Sequence, residues 1–472
     1  MKYLKIPALF LLISFHSIAQ NNSTLETKNL SHNAYVIKNV NIIPMTADNE
    51  VIENATIVIR DNIISSVNSD SIPKNVKIID GTDKWLIPGL IDMHVHNLAD
   101  IRMSSNYPTK GATLFFNNQD FMLLYIANGV TTAFELNGRV EHFGQRNEII
   151  NGEVMGPRIA LAFLIDGGNS GNYANTASDG RQTVRIAKQQ GYEFIKVYSN
   201  LNAETYKAIV DEARIQKMKV IGHIPTVFKG NTRDAFVPHF GMVAHAEEFS
   251  SQTDRYTNDV AKEFAKLAKD NGTWVTPNLS NLVYIAKQAR SLDSVRNLPG
   301  FKYVHPLMQS KWIVSNQYNK GTSPQRVAYF DSLVDFHIQL VKAFKEEGVP
   351  MVAGTDSGTS GIVWGISLHD ELKLLVDAGL TTKEALTSAT RLPAEWLEID
   401  DRIGTIETGK FADLVLLAEN PLENIKNTRK IEGVFVNGKW IGKERINIML
   451  SELEKKNDLN KNDFDWNKRA EY

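Results

Sequence analysis

The chain has 472 residues, of which 43% are hydrophobic and 22% are charged, and its formal net charge is −2. This is the composition of a large globular protein with an ample core, and it excludes a strongly basic binder of nucleic acid. The sequence contains no cysteine, which excludes disulfides, thiolate metal ligands and the lipid-attachment cysteine of a lipoprotein.

The N-terminus predicts a secretory signal peptide over residues 1–19. Lys2 and Lys5 flank the start of an apolar run, 6–15, that is too short to span a bilayer, and small residues at 17–19 offer a cleavage site. A buried N-terminal helix is the alternative, which the polar stretch that follows disfavours. No later segment has the long uncharged run of a membrane helix. We therefore expect a bacterial protein that is periplasmic or secreted, with no membrane anchor in its mature form.

Residues 30–84 and 400–445 each have the pattern of a small β-domain, with short alternating strands separated by Asp, Asn and Gly turns. The strand-like stretches are 35–37, 55–59, 63–64, 76–79, 412–417 and 433–438. We expect the two segments to meet in one composite β-sandwich, with a second domain inserted between them. A C-terminal tail follows at 446–472.

Between these segments, residues 85–399 change to short apolar strands that alternate with helices. The strands are predicted at 86–93, 130–134, 158–163, 194–198, 219–224, 242–246, 274–278 and 350–355, with helices such as 203–216, 260–270 and 333–347 between them. Eight strand–helix units predict a (β/α)8 TIM barrel, an α/β fold. An open doubly wound sheet is the alternative, but its phosphate-binding glycine loop is missing. The roughly 70 residues before the last strand predict helices over the barrel mouth.

Two histidines end the first barrel strand, in the stretch 89–96. His94 and His96 point the same way because side chains alternate faces along a strand. Two imidazoles at the C-terminal end of a barrel strand can begin a metal site, although a chance pair is the ordinary alternative. The metal interpretation therefore requires further ligands at the ends of later strands.

Four later strands supply such residues. Lys196 and Tyr198 share one face of the fourth strand, and His223 and His245 end the fifth and sixth. Asp356 follows the eighth strand between two glycines. Each has an ordinary alternative, namely a surface lysine, a rim histidine or a helix-capping aspartate. A lysine buried in a barrel would tend to lose its proton, and its neutral amine could capture carbon dioxide as a carbamate.

Taken together, these motifs resemble the amidohydrolase superfamily, in the branch with a lysine-bridged binuclear metal centre that includes imidazolonepropionase-related and prolidase-like hydrolases. The motifs are GLIDMHVH (89–96), GVTTAFE (129–135), GPRI (156–159), IKVY (195–198), GH (222–223), AHAEE (244–248), GTDSG (354–358), TTKEALTSAT (381–390) and IGTIETGKFADLVLL (403–417). The resemblance covers nearly all of the mature chain, and it also implies the split β-sandwich. Joined in this order, the motifs are specific for the superfamily and uninformative about the substrate.

The resemblance implies a set of six metal ligands. They are His94, His96, Asp356, His223, His245 and carboxylated Lys196. The first three would hold one cation, the next two would hold the second, and the lysine carbamate and a hydroxide would bridge the pair. A nitrogen and oxygen ligand set suits two divalent ions, typically Zn²⁺, although manganese, cobalt or iron would also fit.

The same resemblance implies the roles of the remaining site residues. Hydroxide would attack the scissile carbonyl, and Asp356 would carry its proton to the leaving amine. Tyr198 would bind the substrate by donating to its carbonyl or carboxylate. Asp92 and Glu247 share faces with the ligating histidines, so either could orient them, with an ordinary hydrogen-bonding role as the alternative. The other histidines, such as His142, are assigned to packing or to the surface.

The expected protein is thus an exported metal-dependent amidohydrolase that cleaves a C–N bond of a small molecule, such as a dipeptide, an N-acyl amino acid or a cyclic amide. A lactonase or esterase on the same scaffold is an alternative. A deaminase is disfavoured because Thr226 stands where superfamily deaminases place a glutamate. A metal-free binding protein is disfavoured because all six ligand positions are filled. A homo-oligomer is compatible with the sequence.

Overall fold

The computed structural model describes residues 34–48, 50–69, 72–97, 117–168 and 174–471. The predicted signal peptide lies outside these residues. The described strands form one sheet of eight strands and one of seven. They are β1 (Ala34–Ile42), β2 (Ile52–Arg60), β3 (Ile63–Ser66), β4 (Lys77–Asp80), β5 (Trp85–Pro88), β6 (Leu90–Val95), β7 (Val130–Glu135), β8 (Arg158–Ile165), β9 (Phe194–Val197), β10 (Lys219–Gly222), β11 (Phe240–Ala244), β12 (Trp274–Thr276), β13 (Leu414–Leu417), β14 (Ile431–Val436) and β15 (Lys439–Gly442).

The α-helices of the described chain mostly alternate with the strands of the seven-stranded sheet or follow it. They are α1 (Asn118–Ala127), α2 (Val140–Ile150), α3 (Ala177–Gln189), α4 (Ala203–Ile215), α5 (Glu247–Ser251), α6 (Asn258–Asp270), α7 (Leu279–Arg290), α8 (Asp293–Arg296), α9 (Pro306–Val314), α10 (Pro324–Glu347), α11 (Ile366–Asp377), α12 (Thr382–Ser388), α13 (Arg391–Leu397) and α14 (Lys443–Leu459). None of the described helices combines the length and the apolar character needed to cross a membrane.

The N-terminal and C-terminal strands share one mixed sheet. Its hydrogen-bonded order is β15-β14-β13-β5-β1-β2-β3, with β4 paired to β1. The segment just before β13 bonds back to the far edge of this sheet, where Ile64 N donates to Lys410 O (2.8 Å) and Ala412 N donates to Asn62 O (2.7 Å). The sheet therefore curls around a hydrophobic core to which both ends of the described chain contribute. This confirms the composite unit predicted from the two ends.

The seven parallel strands β6 to β12 form a nearly closed barrel, in sequence order. The predicted eighth strand, 350–355, lies between β12 and β6 and bonds to both. Val352 N donates to Val275 O (3.0 Å), and Met93 N donates to Ala353 O (3.0 Å). This segment completes the barrel without forming a regular strand, and it ends where the backbone turns left-handed at Asp356 (φ 62°). The predicted TIM-barrel architecture is confirmed.

The stretch 86–93, predicted as one strand, is two strands that belong to different sheets. β5 pairs with β1 and β13, whereas β6 pairs with β7. The break lies at Gly89, whose N–H donates to Asp413 O (2.7 Å), and a Cβ at this position would lie 2.0 Å from Thr131 Oγ1. The prediction of a single strand was wrong because both halves are equally apolar, so hydrophobic periodicity carries no sign of the change of sheet.

The long segment between β12 and the eighth strand position folds into α7 to α10, as predicted. The limits of α10 follow from local chemistry. Ser323 Oγ accepts a hydrogen bond from Arg326 N (3.2 Å), Pro324 takes the first helical position, and Gly348 ends the helix in a left-handed conformation (φ 69°). α7 begins two residues after β12. Its N-terminus therefore lies at the C-terminal end of the barrel, where the predicted ligands gather.

Candidate active site

The first barrel strand and the eighth strand position bring three ligating groups together. His94 Nε2 lies 3.3 Å from His96 Nε2 and 3.3 Å from Asp356 Oδ1. His96 Nε2 lies 2.9 Å from the same carboxylate oxygen. His94 is fully buried, and Asp356 is almost fully buried. Two imidazole nitrogens and a carboxylate oxygen that converge in a buried pocket have the arrangement of a metal-binding cluster.

His223 and His245 form a second cluster beside the first. The centroids of their rings are 4.7 Å apart. The ring of His245 also stacks on that of His94, with 5.1 Å between centroids and 17° between planes. The backbone of His245 is left-handed (φ 57°), a conformation that costs about 1–3 kcal/mol in a residue other than glycine and that proteins retain mainly at functional sites. The two clusters are therefore neighbours at the same end of the barrel.

Lys196 lies on β9 with its side chain inside the barrel, 1% exposed. Burial lowers the pKa of its amine from 10.5 to about 8. Within the described chain, Nζ forms no hydrogen bond or salt bridge, and it lies 5.9 Å from the centroid of the Tyr198 ring. After burial, the charge of Lys196 is the strongest influence lowering the pKa of His94, His223 and His245. The structure thus places a free buried amine next to both clusters.

Two asparagines at the start of α7 support the first cluster. The side-chain amide of Asn278 has one orientation in which both its oxygen and its nitrogen form hydrogen bonds. In that orientation the oxygen accepts from His94 Nδ1 (3.2 Å) and the nitrogen donates to Thr276 Oγ1 (2.9 Å). His94 Nε2 then carries the lone pair and faces the cluster. Asn281 Nδ2 donates to Asp356 Oδ2 (2.6 Å), which leaves Oδ1 for the cluster. The sequence analysis missed both asparagines.

Glu135, at the end of β7, is fully buried behind His96. Its Oε1 lies 3.7 Å from His96 Nδ1, and its Oε2 accepts from Asn97 N (2.5 Å). Burial raises the pKa of Glu135, but the charge of His142 and the contact with His96 outweigh burial and hold the pKa below its usual value. His142 itself bonds to Asn97 O (2.5 Å). Glu135 was missed in the sequence, although its place at a strand end was a usable signal.

Tyr198 contacts the second cluster, and Asp92 lies beside the first. The ring of Tyr198 lies over that of His223, with 3.8 Å between centroids, and is partly exposed. Burial raises the pKa of Tyr198, so its hydroxyl remains a hydrogen-bond donor. Asp92 accepts from Thr355 N (3.0 Å) and Thr355 Oγ1 (2.7 Å), and thereby ties the eighth strand position to β6.

Of the two glutamates after His245, Glu248 is the one that contacts the histidines. Glu247 is exposed, and its side chain makes no hydrogen bond or salt bridge within the described chain. Glu248 is buried, and its Oε1 lies 3.1 Å from His223 Nδ1. The sequence analysis considered Glu247 for this role. The choice between adjacent residues at a helix start cannot be made from alternation along the preceding strand.

Gly222→Ala is expected to destabilise the protein by about 2–4 kcal/mol, because overpacking and backbone strain add. Gly222 precedes His223 with φ 151°, and a Cβ there would lie 2.1 Å from Val197 O on the neighbouring strand. Urea unfolding measures the change in the free energy of unfolding. Gly144→Ala on α2, where a Cβ meets nothing within 4 Å, is the control and should leave stability unchanged or slightly raised. Equal unfolding free energies for wild type and the Gly222 variant would contradict the expected clash.

The donor atoms fit divalent cations. His223 Nε2 and His245 Nδ1 are buried without a hydrogen-bond partner in the described chain, which is costly for polar nitrogens unless another group satisfies them. Imidazole nitrogen and carboxylate oxygen are ligands that zinc and related transition-metal ions prefer. The described residues therefore fit one cation at each cluster.

Comparison with known proteins identifies the family. The amidohydrolase family matches residues 85–441. Ochratoxinase of Aspergillus niger is 24% identical over 435 residues, which cover 80% of each chain. A solved bottromycin amidohydrolase has a TM-score of 0.70 at 20% identity over 92% of both chains. A solved Xaa-Pro dipeptidase with bound methionine has a TM-score of 0.66 at 22% identity, over 87% of this chain and all of that one. The chain belongs to the amidohydrolase family and is a hydrolase that acts on carbon–nitrogen bonds.

Proposed function

We propose that the protein is a binuclear-metal enzyme that hydrolyses an amide or peptide-like bond in a small substrate, such as a dipeptide, an N-acyl amino acid or a cyclic amide. The observation that carries the proposal is the contact between the two ligand clusters, with the free amine of Lys196 beside both. Its structural relatives include a dipeptidase and an amidohydrolase, which favours an amide or peptide bond over an ester as the bond that is cleaved. The pattern of residues 1–19 supports export from the cytoplasm.

Two divalent cations, typically Zn²⁺, would supply an activated water and would polarise the scissile carbonyl. The protein's own residues provide the proton transfer. Asn281 fixes Asp356 Oδ2, so that Oδ1 can accept the proton of the attacking water and return it to the departing amine nitrogen. The hydroxyl of Tyr198 can donate to the carbonyl or carboxylate oxygen of the substrate. Burial of Asp356 and Asn281 keeps bulk water away from the transferred proton.

We also propose that Lys196 is carboxylated. The ammonium group first loses one proton, and the neutral amine then adds carbon dioxide and loses a second, so that a group with charge +1 becomes a carbamate with charge −1. A buried cationic amine beside two metal ions would be repelled by them, whereas an anionic carbamate would attract them and would supply oxygen ligands. The lowered pKa of Lys196 and its lack of a hydrogen-bond partner in the described chain support this step.

A substrate panel tests the proposed function. Protein stripped by a chelator and reloaded with Zn²⁺, Mn²⁺ or Co²⁺ is assayed against dipeptides (Xaa-Pro included), N-acyl amino acids, cyclic amides, lactones and aminopurines. We expect the protein to hydrolyse the carbon–nitrogen bond of at least one substrate. The activity should be lost when a chelator removes the metal and restored when metal is added, because the proposed mechanism requires metal ions at both clusters. Activity confined to lactones would contradict the substrate class, and ammonia release from an aminopurine would indicate a deaminase.

A further inference from the structure

The start of α7 carries two residues of the candidate site, but its own N-cap side chain does not cap it. Asn278, at the N-cap position, has a left-handed backbone (φ 51°), and its side chain forms no hydrogen bond to the first turn of the helix. That side chain contacts His94 Nδ1 (3.2 Å) and Thr276 instead. The first turn also contains no acidic residue. The backbone N–H groups that an N-cap side chain ordinarily satisfies therefore need another acceptor.

Glu371, a fully buried residue of α11, supplies this acceptor from outside the helix. Its Oε1 accepts from Leu279 N (3.0 Å), and its Oε2 accepts from Ser280 N (2.6 Å). Burial raises the pKa of Glu371 to about 7, although the hydrogen bonds from Ser280 and Leu279 oppose the rise. A backbone N–H can only donate, so two of them are best satisfied by an ionised carboxylate, whose two oxygens both accept. The carboxylate also lies at the end of the helix where the helix dipole stabilises an anion.

The helix that carries Glu371 is held by other parts of the chain. His369, two residues earlier on α11, is buried. Its Nδ1 lies 2.9 Å from Thr428 Oγ1, and its Nε2 lies 3.1 Å from the backbone oxygen of Asn128. These contacts do not involve α7. Glu371 can therefore hold the first turn of α7 in place against a helix that is fixed independently.

We propose that Glu371 is a positioning residue, which caps α7 in place of the N-cap side chain and thereby sets the affinity of the first cluster for its cation. The effect passes through the two asparagines of α7. Asn278 contacts the ring of His94, and Asn281 Nδ2 donates to Asp356 Oδ2 (2.6 Å). Polar groups behind metal ligands fix the orientation of those ligands, and their loss weakens metal binding. The inference rests on the proposed function, since it presupposes a cation at this cluster.

The test is Glu371→Gln, which keeps the shape of the side chain. Its amide has one acceptor oxygen for two N–H donors, and its nitrogen would face one of them. Zn²⁺ dissociation constants are measured at pH 8 by competition with a chromophoric chelator. We expect one of two ions to bind about tenfold more weakly, the lower end of the range for groups behind the ligands, and the other to bind unchanged. Hydrogen exchange of the metal-free protein, followed by mass spectrometry, should be faster at the start of α7 and unchanged elsewhere.

Two further variants separate the cap from other effects. Asp370→Asn removes a charge at another contact between the same two helices, where Asp370 Oδ2 accepts from Tyr284 Oη (3.0 Å), and should behave like wild type in both measurements. Asn278→Gly removes the side chain that contacts His94, and glycine suits the left-handed backbone there. Glu371→Gln should weaken Zn²⁺ binding less in this background than in the wild type, because residues that act through one another are not additive.

Four results would overturn the inference or its basis. Unchanged hydrogen exchange at the start of α7 in Glu371→Gln would contradict the cap itself. Faster exchange with unchanged Zn²⁺ affinity would show that Glu371 merely stabilises the helix. An equal loss of affinity with and without the Asn278 side chain would show that the effect does not pass through it. Failure of the wild-type protein to bind two ions would contradict the proposed binuclear function, while the exchange measurement would still test the cap.

Discussion

Asp356→Asn is expected to lower kcat by about 10²- to 10⁴-fold, the range lost when a general acid–base group is removed. The amide has the shape of the carboxylate but cannot accept the proton of the attacking water. It would also place an amide group against Asn281 Nδ2, which now donates to a carboxylate oxygen at 2.6 Å. Steady-state kinetics on the best C–N substrate measures kcat and KM.

Two controls separate proton transfer from other effects of this substitution. Metal content measured on the same sample shows whether the variant still holds both ions, because Asp356 Oδ1 also belongs to the first cluster. Asp254→Asn changes an exposed aspartate, paired with Lys229 (2.8 Å), and should leave kcat unchanged. An Asp356→Asn protein with both ions and a kcat within threefold of wild type would show that another group carries the proton.

Lys196→Ala is expected to reduce the bound metal from two ions per chain to one or fewer, with loss of most activity. The substitution removes the amine on which the proposed carbamate would form, and with it the group proposed to bridge the two clusters. Acetate or propionate should partly restore metal content and activity, because a small carboxylate can occupy the space left by the side chain. Elemental analysis and kinetics with increasing carboxylate concentration measure both effects.

A matched control and a pH series complete this test. Lys207→Ala removes an exposed lysine from α4, the helix that follows the strand of Lys196, and should bind metal like wild type. Since the pKa of Lys196 is lowered to about 8, the neutral amine gains population as pH rises. At a fixed concentration of dissolved carbon dioxide, reconstitution of stripped wild-type protein should therefore be faster at pH 9 than at pH 6. A Lys196→Ala protein that keeps two ions and full activity would rule out the carbamate.

The barrel could be predicted because its signals are local. Short apolar strands alternate with helices in the sequence, and most of the predicted helices and strands form near their predicted places. The break at Gly89 and the irregular segment 350–355 could not be predicted, because both depend on which distant backbone supplies the hydrogen bonds. Asp413, for example, accepts from Gly89 N across more than 300 residues of sequence.

The six proposed ligands could be named because each stands near the end of a barrel strand and matches a motif of the family resemblance. The structure brings five of them into two neighbouring clusters and leaves Lys196 beside them. The side chains that support them were harder to find. Asn278 and Asn281 come from the start of α7, and Glu248 from the start of α5. The direction in which the side chains of a helix's first turn point depends on the preceding loop and on tertiary packing. The alternation of residues along a strand contains no information about either.

The change of sheet at Gly89 means that the barrel is not a separable module. Trp85 to Pro88 is the central strand of the curled sheet, and β6, which carries His94 and leads to His96, begins after one further residue. A fragment trimmed to the barrel alone would begin on an apolar strand stripped of both partners, with Leu86 and Ile87 newly exposed. Truncation at this junction is therefore expected to disturb the candidate ligands His94 and His96 directly, so the geometry of the candidate site depends on the terminal segments.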